Sequence, residues 1–198
     1  MENSNRTVEP DVTASALVAR CRSGDLSAFQ TLMESHQQYA YALAYRVLRE
    51  DDQAKDVVQE AFVRVWRHIG EYRSNVKFTT WLYKIVVHLC YDSMKMKSRR
   101  YRIFRMFSGH ISDAEIPDSR NLGDEYEKKE AAEHILAIAR KLPPKQRLVF
   151  MLRDVQDFTI DEIAAATDMS TSSVKANLCY ARHSIRTMYK ELEPRGEQ

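Results

Sequence analysis

The chain has 198 residues, 44% of them hydrophobic, with a formal net charge of +2 and only five Gly and five Pro. That is enough apolar material for packed cores and too few turn formers for an all-β sandwich or barrel, so helix is the expected state, in one large domain or two small ones. Cys21, Cys90 and Cys179 lie far apart without a CxxC or Cys/His cluster, no apolar run approaches a membrane span, and the N-terminus with Glu2 and Glu9 is unlike a signal peptide; neither a disulfide framework nor a zinc site is indicated, and a soluble cytoplasmic protein without membrane insertion is expected.

The residues to about Asp11 are polar. A short helix is expected from about Thr13 to Arg22, stopped at Ser23-Gly24. Asp25 can cap a long helix on which Phe29, Leu32, Met33, Ala40, Leu43, Ala44 and Val47 recur at roughly helical spacing. The cleanest stripe is Ala54, Val57, Val58, Ala61, Phe62, Val65, Trp66 and Ile69, with Asp51 and Asp52 at its start and Gly70 at its end. A loop from Gly70 to Lys77 precedes the stripe Phe78, Trp81, Leu82, Ile85, Val86 and Leu89, whose helix runs into a basic tract ending near Arg105.

From Ser108 to Gly123 no periodic face survives, which reads as a linker. Helical pattern resumes with Tyr126, Ala131, Ile135, Leu136, Ile138 and Ala139 and breaks at Pro143-Pro144, where Pro144 suits the start of a helix to about Asp154. Thr159-Ile160-Asp161-Glu162 is a capping box opening a short helix. After the turn Thr167-Asp168-Met169, Ser170 or Thr171 can cap a last helix carrying Val174, Leu178, Ala181, Ile185 and Met188. A short capped helix, a tight turn and a longer basic helix make the pattern of a helix-turn-helix. The expected fold is all-α: an N-terminal segment and short helix over 1–24, a helical domain over 25–105, a flexible linker over 106–123 and a second small helical domain over 124–192.

Charge is segregated along the chain. Lys84, Lys95, Lys97, Arg99, Arg100, Arg102 and Arg105 stand against Asp92 alone, the stretch from Asp113 to Glu133 is acidic, and the last helix is basic again through Lys175, Arg182, Arg186 and Lys190. Two basic blocks split by an acidic one point to two separate contacts with a polyanion. Tyr72, Arg73, Lys77, Phe78, Trp81, Tyr83, Lys84 and Tyr91 mix aromatic and basic residues, a composition that suits an unpaired nucleic-acid strand. Phe78 and Trp81 lie on the buried stripe and read as core, leaving Tyr72, Arg73 and Asn75 as the better contacts. The tract from Lys95 to Arg105 can be a phosphate-binding surface or a solvated face.

On the last helix Ser172, Ser173, Lys175, Asn177 and Tyr180 avoid the buried stripe, as base- and phosphate-reading residues must. Polar residues interleave with apolar ones on any amphipathic surface helix as well, so this pattern alone leaves both readings open. His36, His68, His88, His110, His134 and His183 are scattered, and no Gly-rich phosphate loop or nucleophile elbow occurs; no catalytic residue, metal site, cofactor or small-molecule substrate is expected. Asp56 and Glu60, on a polar helix face, read as a partner-binding surface.

Three stretches in order resemble the extracytoplasmic-function group of the sigma-70 family. Asp52-Gln-Ala-Lys-Asp56-Val-Val-Gln59-Glu60-Ala-Phe62-Val-Arg-Val-Trp66 is similar to the helix that docks on the clamp helices of the RNA polymerase β′ subunit. Phe78-Thr-Thr-Trp81-Leu82-Tyr83-Lys84-Ile85 is similar to the segment that melts and reads the minus-10 element. Leu142-Pro143-Pro144-Lys-Gln-Arg147-Leu-Val-Phe150-Met-Leu152-Arg153, followed by Glu162-Ile163-Ala164 and Ser173-Val174-Lys175, resembles region 4, which reads the minus-35 element.

The resemblance implies a sigma factor of region 2 and region 4, not an enzyme, with core RNA polymerase (β′ clamp helices and β flap), promoter DNA and an anti-sigma factor as partners. It implies that Asp52, Asp56, Gln59, Glu60 and Phe62 hold polymerase, with Trp66 mainly structural. Tyr72, Arg73, Asn75, Lys77, Lys84, His88 and Asp92 would meet the minus-10 strand. Arg147 and Arg153 would contact phosphates, and Ser172, Ser173, Lys175, Ala176, Asn177, Cys179, Tyr180 and Arg182 would meet the minus-35 element. Many members have Gly-Thr-Val-Lys-Ser-Arg where this chain has Ser172 to Asn177, and commonly Asn where His88 stands, so no promoter sequence transfers. A helix-turn-helix repressor or activator with a sensor domain is the reading from another class; the Tyr72 to Tyr91 stretch has no obvious use in a sensor.

Overall fold

The structure, a computed structural model, describes residues 12–73, 75–108 and 124–192. It contains α1 (Val12–Arg22), α2 (Leu26–Leu48), α3 (Asp51–His68), α4 (Phe78–Ser108), α5 (Asp124–Ala139), α6 (Pro144–Phe150) running into a π-helical turn (Met151–Val155), α7 (Ile160–Thr167) and α8 (Thr171–Leu192). There is no strand among the described residues. The chain divides into two compact units, Met1–Cys90 and Tyr91–Gln198.

In the first unit α1 buries Ala14, Val18 and Cys21, one helical face, and packs on α2. It stops where Gly24 takes φ +84°, a left-handed conformation that costs a glycine little. Asp25 then caps α2 as expected: its Oδ1 accepts from the Ser27 and Ala28 amides at 3.0 and 3.1 Å, and its Oδ2 accepts from Arg20 Nε at 2.9 Å. Hydrogen bonds from Ser27, the Ala28 amide and Arg20 hold this carboxyl well below the usual carboxylate range. The helix ends at Arg49, left-handed at φ 56°, whose amide closes on Tyr45 O at 2.7 Å.

α3 carries the predicted stripe inward, burying Ala54, Val57, Ala61, Phe62 and Val65. The Phe29 ring of α2 meets Phe62 edge-on at 6.5 Å and Trp66 at 4.9 Å. α4 buries Phe78, Leu82, Tyr83, Val86, Val87 and Cys90, and the Phe78 ring meets His36 of α2 at 4.9 Å. Each such buried side chain contributes about 1.5–3 kcal/mol, so a network of rings sets the shape of this unit.

α4 does not stop at the expected domain edge near residue 105. It continues to Ser108, so the first three residues assigned to the linker are helical, and the rest of that linker, 109–123, lies outside the described residues. The division into units falls earlier, after Cys90, and residues 95–104 of the helix are exposed.

The second unit packs α5 and α6 on α8. Ile138, Ala139, Leu142, Phe150, Met151, Ala181 and Ile185 form its buried cluster. Pro144 opens α6 as expected, at a position where its missing amide has no partner to lose. The capping box is complete: the Glu162 amide donates to Thr159 Oγ1 at 3.2 Å, and the Thr159 amide donates to Glu162 Oε2 at 2.8 Å. Of the alternative caps for α8, Ser170 holds the place, its Oγ accepting from the Ser173 amide at 3.2 Å. The intervening turn is made by Asp168 in the left-handed conformation, φ 55°. α7 buries Ile163 and Ala166, and α8 buries Val174, Leu178, Ala181 and Ile185, so the helix-turn-helix has its own small core.

Candidate nucleic-acid and partner interfaces

On α3, Asp52, Asp56 and Gln59 recur at i, i+4 and i+7 and are all exposed, presenting one acidic and polar face. Glu60, at the edge of that face, is half-buried and accepts from Arg64 Nε at 3.0 Å. Beside its start, Asp51 accepts from Tyr41 Oη at 2.5 Å and from Lys55 Nζ at 2.6 Å. The hydrogen bond with the Asp51 carboxylate raises the Tyr41 phenol above its ordinary range, while Lys55 and Tyr41 lower that of Asp51.

Phe62 does not join this face. It is 5% exposed and packed against Phe29, so it offers little surface to a partner. The apolar residue on the outer face is its neighbour Val63, 41% exposed, one turn beyond Gln59. Sequence reasoning missed it, although the spacing 52, 56, 59, 63 was there to be read once the stripe through Phe62 was taken as the inner face. Trp66 is half-buried against Phe29, the mainly structural place expected of it.

The loop between α3 and α4 forms an open groove of about 810 Å³ lined by Arg22, Gly70, Glu71, Tyr72, Arg73 and Asn75. Arg73 and Asn75 are exposed and Lys77 is half-buried. Tyr72 is 7% exposed: its ring sits 6.0 Å from Phe78 and 5.3 Å from Trp81, and its hydroxyl donates to Val76 O at 2.5 Å. Tyr72 therefore braces the loop from beneath and presents little surface to a DNA strand. Arg22 of α1, not singled out from the sequence, donates Nε to Ile69 O at 3.4 Å and Nη2 to Tyr72 O. Its partners are carbonyls, which carry no sequence signature. Lys84, His88 and Asp92 share one face of α4, the first two half-buried and the third exposed, and Lys95 Nζ lies over the Tyr91 ring at 5.7 Å.

On α8, Ser172, Lys175, Ala176, Cys179 and Tyr180 are exposed. His183 continues this face by one turn and was likewise passed over as a scattered histidine. Ser173 and Asn177 are half-buried and tied together, Asn177 Nδ2 donating to Ser173 O at 2.8 Å. An adenine-reading amide needs both ends available, so this bond must open before Asn177 can serve as expected.

Of the three arginines assigned to DNA in this unit, one is buried and two bond to groups of the protein, Arg182 with 54% of its side chain still exposed. Arg147 is 8% exposed, Arg153 Nη1 donates to Phe158 O at 2.9 Å, and Arg182 pairs with Asp154. Arg147, like Leu148, Val149 and Phe150 that follow it on α6, is buried, and so presents little surface to a phosphate. No group of His, Cys, Asp or Glu that could hold a metal occurs among the described residues, and none of their helices is long and apolar enough to cross a membrane.

Two family models match the chain: Sigma-70 region 2 over residues 32–100, and Sigma-70, region 4 over residues 132–185. Together they cover more than half of it, in the order of the two units. Among curated relatives, the ECF RNA polymerase sigma factor SigW of Bacillus subtilis is 27% identical over 184 residues, 88% of this chain and 96% of SigW. The RNA polymerase sigma-H factor of Pseudomonas aeruginosa is 29% identical, with 90% of this chain and 93% of the relative covered. The fold is similar to that of CnrH solved with the cytosolic domain of CnrY, at a TM-score of 0.54 and 21% identity, covering 91% of this chain and 99% of that one. It is similar at the same TM-score of 0.54 to the sigma factor RpoE of Bartonella quintana solved with the anti-sigma factor NepR, at 18% identity, covering 82% and 96%.

Proposed function

The chain belongs to the sigma-70 family, in its extracytoplasmic-function group, and we propose that it binds core RNA polymerase and directs promoter-specific initiation in the cytoplasm without chemistry of its own. The observation that carries this is the pairing, in family order, of an acidic outer helix face on α3 with two separate candidate DNA surfaces. Asp52, Asp56, Gln59 and Val63 form the polymerase dock, with Glu60 at its edge. Arg73, Asn75 and the Lys84, His88, Asp92 face, rather than Tyr72, meet the opened minus-10 strand. Ser172, Lys175, Ala176, Cys179 and Tyr180 meet the minus-35 element. Regulation by an anti-sigma factor is part of the same reading, supported by the partners present in the complexes of CnrH and RpoE.

Run-off transcription with purified core enzyme on genomic fragments tests this. Promoter-dependent transcripts are expected only when the chain is added, and their absence with an active core preparation sinks the proposal. Asp56→Arg is expected to weaken core binding about tenfold or more in titration, since like-charge juxtaposition costs several kcal/mol. Its thermal stability should stay within about 0.5 kcal/mol of the wild type, as for an exposed site. Equal affinity for core would remove α3 from the dock.

A further inference from the structure

Arg182 of α8 and Asp154 of the π-helical turn meet across 28 residues of sequence through two hydrogen bonds, Nε to Oδ2 at 2.9 Å and Nη2 to Oδ1 at 2.5 Å. Such a fork-to-fork contact fixes orientation as well as distance. Just before Asp154, Phe150 and Met151 pack in one buried cluster with Ala181 and Ile185, the residues that flank Arg182 on α8. The ion pair thus closes the rim of the packing between α8 and the helix that precedes the helix-turn-helix. Its acceptor rests on a pinned turn: Arg153 Nη1 donates to Phe158 O at 2.9 Å, and the Phe158 amide donates to Leu152 O at 3.0 Å. The Asp154 side chain is 23% exposed, so part of the pair is withdrawn from water.

On α8 the exposed stripe Ser172, Ala176, Cys179 and His183 follows spacings of four, three and four, and Arg182 stands to one side of it, two turns beyond Lys175 on the same flank. Apolar packing through Ala181 and Ile185 is non-directional, and it fixes the rotation of α8 about its own axis less sharply than a directed contact does. A two-point ion pair removes that freedom. We propose that Arg182 is a positioning residue whose pairing with Asp154 locks the rotation of α8, so that Lys175, Ala176 and Cys179 face the groove, and that it is not a phosphate contact. This rests on the reading that α8 docks on promoter DNA.

The test uses the full-length chain bound to core polymerase on a promoter identified by run-off, with affinity followed over a range of salt. Asp154→Asn and Arg182→Ala are each expected to lower promoter affinity about fivefold, within the range of coupled pairs. Core affinity, melting temperature and the slope of log affinity against log salt should not change. Asp154→Arg combined with Arg182→Asp should recover most of the loss. The proposal is overturned if Asp154→Asn binds as wild type, if Arg182→Ala reduces the salt slope by about one, as loss of a phosphate contact would, or if the exchanged pair binds no better than Arg182→Asp alone. It is also overturned if both single variants melt early in proportion to their loss of binding, which marks a general structural role. A wild-type chain without promoter-dependent transcription would overturn the underlying reading and this one with it; an active wild type with indifferent variants overturns this one alone.

Discussion

The first unit turned aromatic residues inward that the sequence had offered as surface, and the second unit tied to itself arginines that the sequence had offered to DNA. Phe62 and Tyr72 are 5% and 7% exposed, while Arg147 is 8% exposed and Arg153 and Arg182 hold a carbonyl and a carboxylate of their own unit. The difference follows from size. α2 and α3 are long, 23 and 18 residues, and bury ring against ring. In the second unit α6 and α7 have only 7 and 8 residues between the 16 of α5 and the 22 of α8, and this short pair has less apolar surface to bury, so its turns are tied by long side chains that are apolar along the stem and polar at the tip. An aromatic in one unit and an arginine in the other are therefore equally poor indicators of an exposed contact.

The sharpest way to break this comparison is at Phe62. Phe62→Ala should destabilise the first unit by about 3–5 kcal/mol in denaturant unfolding, the cost of emptying a packed phenylalanine site. If stability is instead kept while core binding collapses, Phe62 is a polymerase contact after all. Next in size is Arg147→Ala, expected to cost the second unit about 2–3 kcal/mol while leaving the salt slope of promoter binding intact. Lys175→Ala should do the reverse, lowering the slope by about one at unchanged stability. If the two exchange behaviours, the inward reading of the arginines fails.

The smallest effect is expected at Asp25. Its folded-state pKa is depressed, so its contribution is fully present above the unfolded value of about 4 and is lost as pH falls through the folded value. The stability gap between wild type and Asp25→Asn should be constant at neutral pH and close on acidification. A gap that widens in acid would show that the cap does not act through its charge.

Most of the fold was legible because it rests on local rules. The stripe from Ala54 to Val65, the stop at Gly24, the Asp25 cap and the Thr159 to Glu162 box each depend on residues within a turn or two. Ser170 against Thr171 needed only one hydrogen bond to decide. The site was less legible where long-range packing chose between uses of one side chain. Phe62 lay on the inward stripe by period and on the polymerase face by resemblance, and its contact with Phe29, over thirty residues earlier, places its ring on the inward side. The Arg182 to Asp154 pair and the grip of Arg22 on two carbonyls have no short-range pattern. The π-helical turn that presents Asp154 was read as plain helix, because nothing in Met151 to Val155 breaks the pattern.

Asp168 holds the turn between α7 and α8 in a conformation that costs a residue with a Cβ about 1 kcal/mol or more relative to glycine. A glycine there would be more comfortable and less committed, sampling many directions for the helix that follows. With aspartate, the bend samples fewer backbone conformations, so the direction in which α8 leaves α7 is more narrowly set. If α8 reads DNA as proposed, less ordering is then left for the moment of binding.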